Sequence, residues 1–247
     1  MMHSDAQPST PADLRVLLWD VDGTLMRSAR RGVFLDYTRP ALERVFGTAG
    51  RLAELSVSGM TDLQIACEAL HDEGITREQI RSRAEELWTH YCAELERMTT
   101  AGAQPYMALP GARETLAAAA AHPRYRNALL TGNVERAAFL KLRAVGLADF
   151  FRLPGAYGDD SHDRRELPSL VAARTGRALG LELAPAQFIV IGDTPNDIAA
   201  ARHFGARAVA VATGRTYSAE DLSAHEPDAV LADLNDTELV LQTLARL

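Results

Sequence analysis

The chain has 247 residues, enough for one large domain or two modest ones. Hydrophobic residues make up 47% and charged residues 24%, an ordinary globular balance, and the net charge of −7 argues against a general nucleic-acid or membrane-surface binder. No apolar run approaches the ~20 residues that would span a bilayer. The segment Met1 to Pro11 is polar, lacks the apolar centre of a signal peptide and is expected to be loose. Cys67 and Cys92 lie in helix-like stretches without metal-ligand spacing. Both read as core or semi-core thiols of a reducing compartment, so the expected location is the cytoplasm.

In chain order, the first element is a strand over Arg15–Asp20, built on the apolar run Val16-Leu17-Leu18-Trp19. It runs into Asp20-Val21-Asp22-Gly23-Thr24-Leu25, where the Gly-Thr pair reads as a turn. Two carboxylates just past a strand tip can reach the same open end of a sheet. One of them suits nucleophilic attack or metal binding, and the other suits proton transfer. A bare Asp-x-Asp can also merely cap a turn.

From about Arg30 to Met107 no buried strand is expected. Helices are predicted over Phe34–Phe46 and Thr61–His71. A capping box at Thr76-Arg77-Glu78-Gln79 opens a long third helix, with Ile80, Ala84, Leu87, Tyr91 and Leu95 at helical spacing. Pro105 and Pro110-Gly111 break the pattern. Beyond them, strands are predicted at Asn127–Thr131, weakly at Gly155–Tyr157, and at Phe188–Asp193, Ala208–Ala212 and Ala229–Leu231. Helices are predicted at Ala112–Ala121, Val134–Val145, Leu167–Leu179, Asp197–Phe204 and Leu234–Leu244. This alternation implies an α/β fold: a Rossmann-like doubly wound parallel sheet, interrupted by an all-helical insert. The expected partition is a core of 1–29 and 107–247 and an insert of 30–106.

Three strands end in polar clusters, at Asp20, at Thr131-Gly132-Asn133 and at Gly192-Asp193-Thr194. Ligands in such sheets bind at the carboxyl ends of the strands. Thr131 and the neighbouring backbone N–H groups suit an oxyanion. Asp193 at a strand tip and Asp197 near a helix start would add two carboxylates beside Asp20 and Asp22. So much negative charge calls for a hard divalent cation such as Mg²⁺.

The strings Asp20–Leu25 and Gly192-Asp193-Thr194-Pro195-Asn196-Asp197, with Thr131 between them, resemble the first, fourth and second motifs of the haloacid dehalogenase-like (HAD) hydrolase superfamily. The order and spacing fit, and the motifs span almost the whole core. The helical insert sits where that family carries its type 1 cap, and the resemblance is best to its phosphoglycolate-phosphatase-like branch. It implies a phosphatase for a small phosphate ester. Asp20 would be the nucleophile forming an aspartyl-phosphate and Asp22 the acid and base. Mg²⁺ would be held by Asp20, the Asp22 backbone carbonyl and Asp193, with Asp197 either a direct ligand or a partner behind the ligands. Gly132 and Asn133 would bind substrate. Ser56-Val57-Ser58-Gly59-Met60-Thr61-Asp62 resembles the cap segment that reaches over the active site, which adds Thr61 and Asp62 as substrate contacts. The same stretch also reads as a plain helix N-cap.

The third family motif, usually a lysine before Pro-x-Pro, is where the chain departs. The only lysine, Lys141, lies too early and is expected to point away from the strand tips. Arg164 and Arg165 are the cations available, and counting back from Pro168 favours Arg165. A β-phosphoglucomutase-like phosphomutase and a non-catalytic HAD-fold binding protein are the alternatives. A monomer or homodimer, without nucleic-acid or membrane partners, is expected.

Overall fold

The computed structural model describes residues 13–100 and 104–247. The expectation for Met1 to Pro11 lies outside the described residues. Five strands, β1 (Arg15–Trp19), β4 (Tyr125–Leu129), β5 (Phe188–Gly192), β6 (Arg207–Val211) and β7 (Ala229–Leu231), form one parallel sheet in the order β4-β1-β5-β6-β7. The chain leaves β1 to one side to build β4 and returns on the other side to build β5. The strand order therefore reverses at β1, the point where such sheets open a crevice for ligands.

β1 is buried on both faces, and its alternate residues serve two cores. Leu17 and Trp19 join the layer containing α5 (Ala112–Ala121), α6 (Glu135–Ala144) and α10 (Thr237–Ala245). Val16 and Leu18 join the layer containing α7 (Leu167–Leu179), α8 (Pro195–Phe204) and α9 (Ala219–Ser223). The period of two thus divides one apolar run between both sides of a doubly wound sheet. The indole of Trp19 donates to Asn127 Oδ1 at 3.0 Å, and Asn127 Nδ2 donates to the Leu116 carbonyl at 3.2 Å, so these buried polar atoms are satisfied.

Between β1 and β4 the chain builds α1 (Leu35–Phe46), α2 (Asp62–Leu70), α3 (Arg77–Ser82) and α4 (Ala84–Thr100). Thr76 forms the expected capping box with Gln79. The single long helix expected after it is instead two, because Arg83 leaves the helical conformation (φ −113°, ψ 13°). Its guanidinium donates to the Val45 carbonyl of α1 and to Glu86.

Two further strands, β2 (Met26–Ser28) and β3 (Tyr106–Ala108), pair antiparallel where the chain enters and leaves the helical segment. Three residues each, without alternating polarity, they leave no strand signal in the sequence. At Gly155–Tyr157 the expected strand reduces to one bridge between Leu130 and Ala156.

Candidate active site

β1 and β5 carry the acids to one place. The Asp20 N–H donates to the Ile191 carbonyl of β5 at 2.9 Å, which fixes Asp20 at the strand tip. Gly23 then turns the chain with φ +93°, and a Cβ there would lie 2.2 Å from Asp193 Oδ2. Only glycine permits this conformation and this close approach. Asp20, Asp193 and Asp197 are buried, and a ligand oxygen from each lies within 4.8 Å of the others. Among the described residues, Asp193 is bonded by its side chain only to the Thr24 hydroxyl, at 3.2 Å. Burial, together with the charges of Asp20 and Asp197, pushes the Asp193 carboxyl well above the ordinary carboxylate range. Burial pushes Asp20 up to about 6, against the pull of Arg164. Three desolvated carboxylates facing one guanidinium leave net negative charge, and an all-oxygen donor set of this kind fits a hard divalent cation.

That guanidinium belongs to Arg164. Its Nη2 donates to Asp20 Oδ1 at 2.8 Å and to Asp197 Oδ1 at 2.5 Å, and its side chain is 6% exposed. Asp197 Oδ2 accepts from the Thr194 N–H and hydroxyl, so this acid is held at both oxygens. Among the described residues Arg164 Nε is a buried donor without a partner, and the side chain lines the central cavity. Arg165, favoured by counting, does not reach the site. It is 59% exposed and pairs with Asp163. Asp163 caps a 3₁₀ turn over Arg164–Glu166, and this tight turn sends the two arginines in different directions.

Lys141 also departs from expectation. It lies on α6 but is only 5% exposed, and its Nζ donates to Asp22 Oδ2 at 2.8 Å and to Asn133 Oδ1 at 2.6 Å. Burial pulls the pKa of this ammonium down, but Asp22, with Tyr37, Tyr106 and Asp62, outweighs that and carries it well above its ordinary value. A signal for it existed in the sequence. Ala137, Ala138, Lys141 and Leu142 form the buried stripe of α6, so Lys141 stands where an apolar residue belongs.

Asp22 is 42% exposed and stays outside the cluster of three acids. Asn133 Nδ2 donates both to Asp22 Oδ2 at 2.8 Å and to Thr131 Oγ1 at 2.9 Å. Thr131 is buried at the cavity wall. Asp20, Asp22, Gly132, Asn133, Asp62 and Asp193 share the same cavity, of about 240 Å³.

The helical segment closes this cavity. The Asp62 N–H donates to the Gly132 carbonyl at 2.7 Å, and Asp62 Oδ2 accepts from the Val134 N–H at 2.9 Å and the Tyr91 hydroxyl at 3.0 Å. Burial pushes the Asp62 carboxyl up to about 6, with Lys141 and the Val134 N–H pulling it down. Thr61, expected as a substrate contact, is fully buried outside the cavity lining. Its hydroxyl accepts from the Gln64 N–H, capping α2, and donates to the His162 carbonyl at 3.2 Å.

No helix among the described residues is long and apolar enough to cross a membrane. A family model for haloacid dehalogenase-like hydrolases matches residues 17–202, and a HAD-hydrolase-like model matches residues 168–237. The phosphoglycolate phosphatase of Escherichia coli K12 is 33% identical over 98 residues, 38% of this chain and 36% of that protein, so the match spans about a third of that relative. The phosphoglycolate phosphatase of Yersinia pseudotuberculosis is 28% identical over 225 residues, 90% of this chain and 91% of that protein. Among solved structures, a predicted phosphoglycolate phosphatase from Haemophilus somnus superposes with a TM-score of 0.62 at 22% identity, covering 94% of this chain and 100% of that one. The β-phosphoglucomutase of Clostridium difficile superposes with a TM-score of 0.65 at 17% identity, covering 94% and 98%. At these identities the two structures share the fold.

Proposed function

The chain belongs to the haloacid dehalogenase-like hydrolase family, and from that premise we propose that it is a Mg²⁺-dependent phosphatase acting on a small phosphorylated metabolite. The observation that carries this reading is the separation of two neighbouring carboxylates in one cavity. Asp20 lies inside the buried acidic cluster against Arg164, whereas Asp22 lies outside it against Lys141 and Asn133.

Asp20, Asp193 and Asp197, with the Asp22 backbone carbonyl, would hold the Mg²⁺. When bound, that ion screens the repulsion between the acidic cluster and an incoming phosphate. An Asp20 carboxylate oxygen bonds to phosphorus while the bond from phosphorus to the leaving oxygen breaks, and Asp22 gives that oxygen its proton. Water then transfers a proton to Asp22 as its oxygen bonds to phosphorus, and the aspartyl-phosphate bond breaks. Arg164 and the Thr131 hydroxyl offer donors to the equatorial phosphoryl oxygens, with the backbone at Gly132 and Asn133 beside them. The helices between β2 and β3 form the cap over the α/β core. The cavity of about 240 Å³ suits a metabolite of a few carbons rather than a polymer.

Phosphate release from p-nitrophenyl phosphate and from a metabolite panel that includes phosphoglycolate and sugar phosphates tests the reading. Release is expected with Mg²⁺, is expected to stop in EDTA, and should fall on the order of 10³-fold or more in Asp20→Asn. Isomerisation of a sugar phosphate without free phosphate would replace hydrolysis with a mutase reaction. Inactivity on every ester would leave a binding protein.

A further inference from the structure

We propose that Lys141 is a positioning residue for Asp22: its ammonium fixes one carboxylate oxygen so that the other faces the leaving group of the substrate. This rests on the phosphatase reading above. Two donors, Lys141 Nζ at 2.8 Å and Asn133 Nδ2 at 2.8 Å, converge on Asp22 Oδ2. Among the described residues no side-chain bond holds Oδ1, so it is the oxygen left to carry and deliver a proton. A carboxylate at 42% exposure would otherwise turn freely about its Cβ–Cγ bond and present either oxygen, or neither, to the reacting atom.

The lysine is itself prevented from moving. Its Nζ donates to Asn133 Oδ1 at 2.6 Å, which also orients the Asn133 amide with its NH₂ toward Asp22 and Thr131. The ammonium lies 5.7 Å from the ring centroids of both Tyr37 and Tyr106. Tyr37 comes from α1 of the cap and Tyr106 from β3, so the wall that keeps water off the Lys141 ammonium is partly cap. A cation buried in this way holds its partner more firmly than one in water. Two committed N–H groups and two ring faces suit an amine that orients a neighbour better than one that binds each new substrate. Arg164 serves the transferring phosphoryl group, so the chain places separate cations on the two aspartates.

Because Lys141 is the only lysine, ¹⁵N-lysine labelling places its ammonium alone in a side-chain spectrum. Asp22→Asn is expected to shift that resonance or broaden it by water exchange, while the remote Arg165→Ala leaves it in place. An unmoved resonance in Asp22→Asn would overturn the proposal.

Turnover supplies the second readout. In Lys141→Met and Lys141→Ala, kcat/KM for an alkyl phosphate should fall about 100-fold. For p-nitrophenyl phosphate, whose leaving group departs without a proton, it should fall only a few-fold. Added ethylammonium should restore part of the alkyl-ester rate in Lys141→Ala. Equal losses on both esters, or a rise in KM with kcat unchanged, would overturn the positioning role. A resonance that responds to Asp22→Asn, in a wild type that hydrolyses no ester, would remove the phosphatase reading and with it the proton transfer that Lys141 is proposed to serve.

Discussion

Asp20 and Asp22 are separated by one residue in the chain and occupy two different electrostatic regions. On the Asp20 side, Asp20 and Asp193 sit at strand tips, Asp197 in the first turn of α8 and Arg164 in a 3₁₀ turn; Arg164 bonds to two of the three buried acids, and the region is short of positive charge. On the Asp22 side, a half-exposed acid meets a buried lysine and an amide, and the walls come from α6 and from the helical cap. The first region crowds three acids around a single guanidinium. The second gives its acid a cation of its own but depends on elements that come from distant parts of the chain. Chain proximity brought the two acids to one cavity, and their surroundings separate what each can do.

The widest test of this contrast is the arginine pair. Arg164→Ala leaves Asp20 and Asp197 as buried, unpaired carboxylates and should destabilise the metal-free protein by about 3–5 kcal/mol in urea unfolding. Arg165→Ala should leave the urea midpoint unchanged, since that exposed side chain pairs only with its near neighbour Asp163. Equal effects from the two substitutions would erase the distinction.

The next test concerns the deficit of positive charge. Wild-type protein should gain about 2.7 kcal/mol at a Mg²⁺ concentration 100-fold above the dissociation constant, read as a rise in Tm. Asp193→Asn should be more stable than wild type in EDTA, because it removes one crowded buried acid, and should lose the response to Mg²⁺. A variant that melts lower than wild type in EDTA would show that the cluster is balanced without a cation.

The smallest expected effect sharpens the Asp22 side. The Asp62 carboxyl is pushed from 3.8 to about 6 by burial, so the folded chain keeps a proton that the unfolded chain releases. The associated stability is full below pH 4 and is lost as pH rises through about 6. Asp62→Asn, which can still accept from the Val134 N–H, should not suffer that loss. Between pH 4 and pH 7.5 it should gain on the order of 1–2 kcal/mol relative to wild type, a few degrees in Tm. Parallel pH profiles of Tm would show that Asp62 carries its ordinary charge in the fold.

The same contrast explains what the sequence made legible. Apolar runs such as Val16–Trp19 and Phe188–Ile191 announce their strands, and the acids at their ends are placed by the backbone itself. The positions of Asp20 and Asp193 at the strand tips were therefore legible. Between Arg164 and Arg165 the sequence favoured the wrong one, because counting along the chain cannot resolve which side of a 3₁₀ turn a residue takes. Lys141 was missed because its partner Asp22 is remote in sequence. The β2–β3 pairing left no trace because three-residue strands carry no periodicity. Thr61 was assigned to substrate when a local demand, capping α2, already used its hydroxyl.

The β2–β3 ribbon sets Met26 opposite Ala108 and Ser28 opposite Tyr106. In topological terms the four helices are therefore a hairpin loop grown to the size of a domain. Both of its crossings enter the core side by side, and it contributes no strand to the five-stranded sheet. A short turn joining Ser28 to Tyr106 would close the same ribbon and leave the sheet register untouched. The part of the molecule that shapes the cavity wall can thus be lengthened, replaced or excised by recombination while the strand tips that hold the acids stay in place.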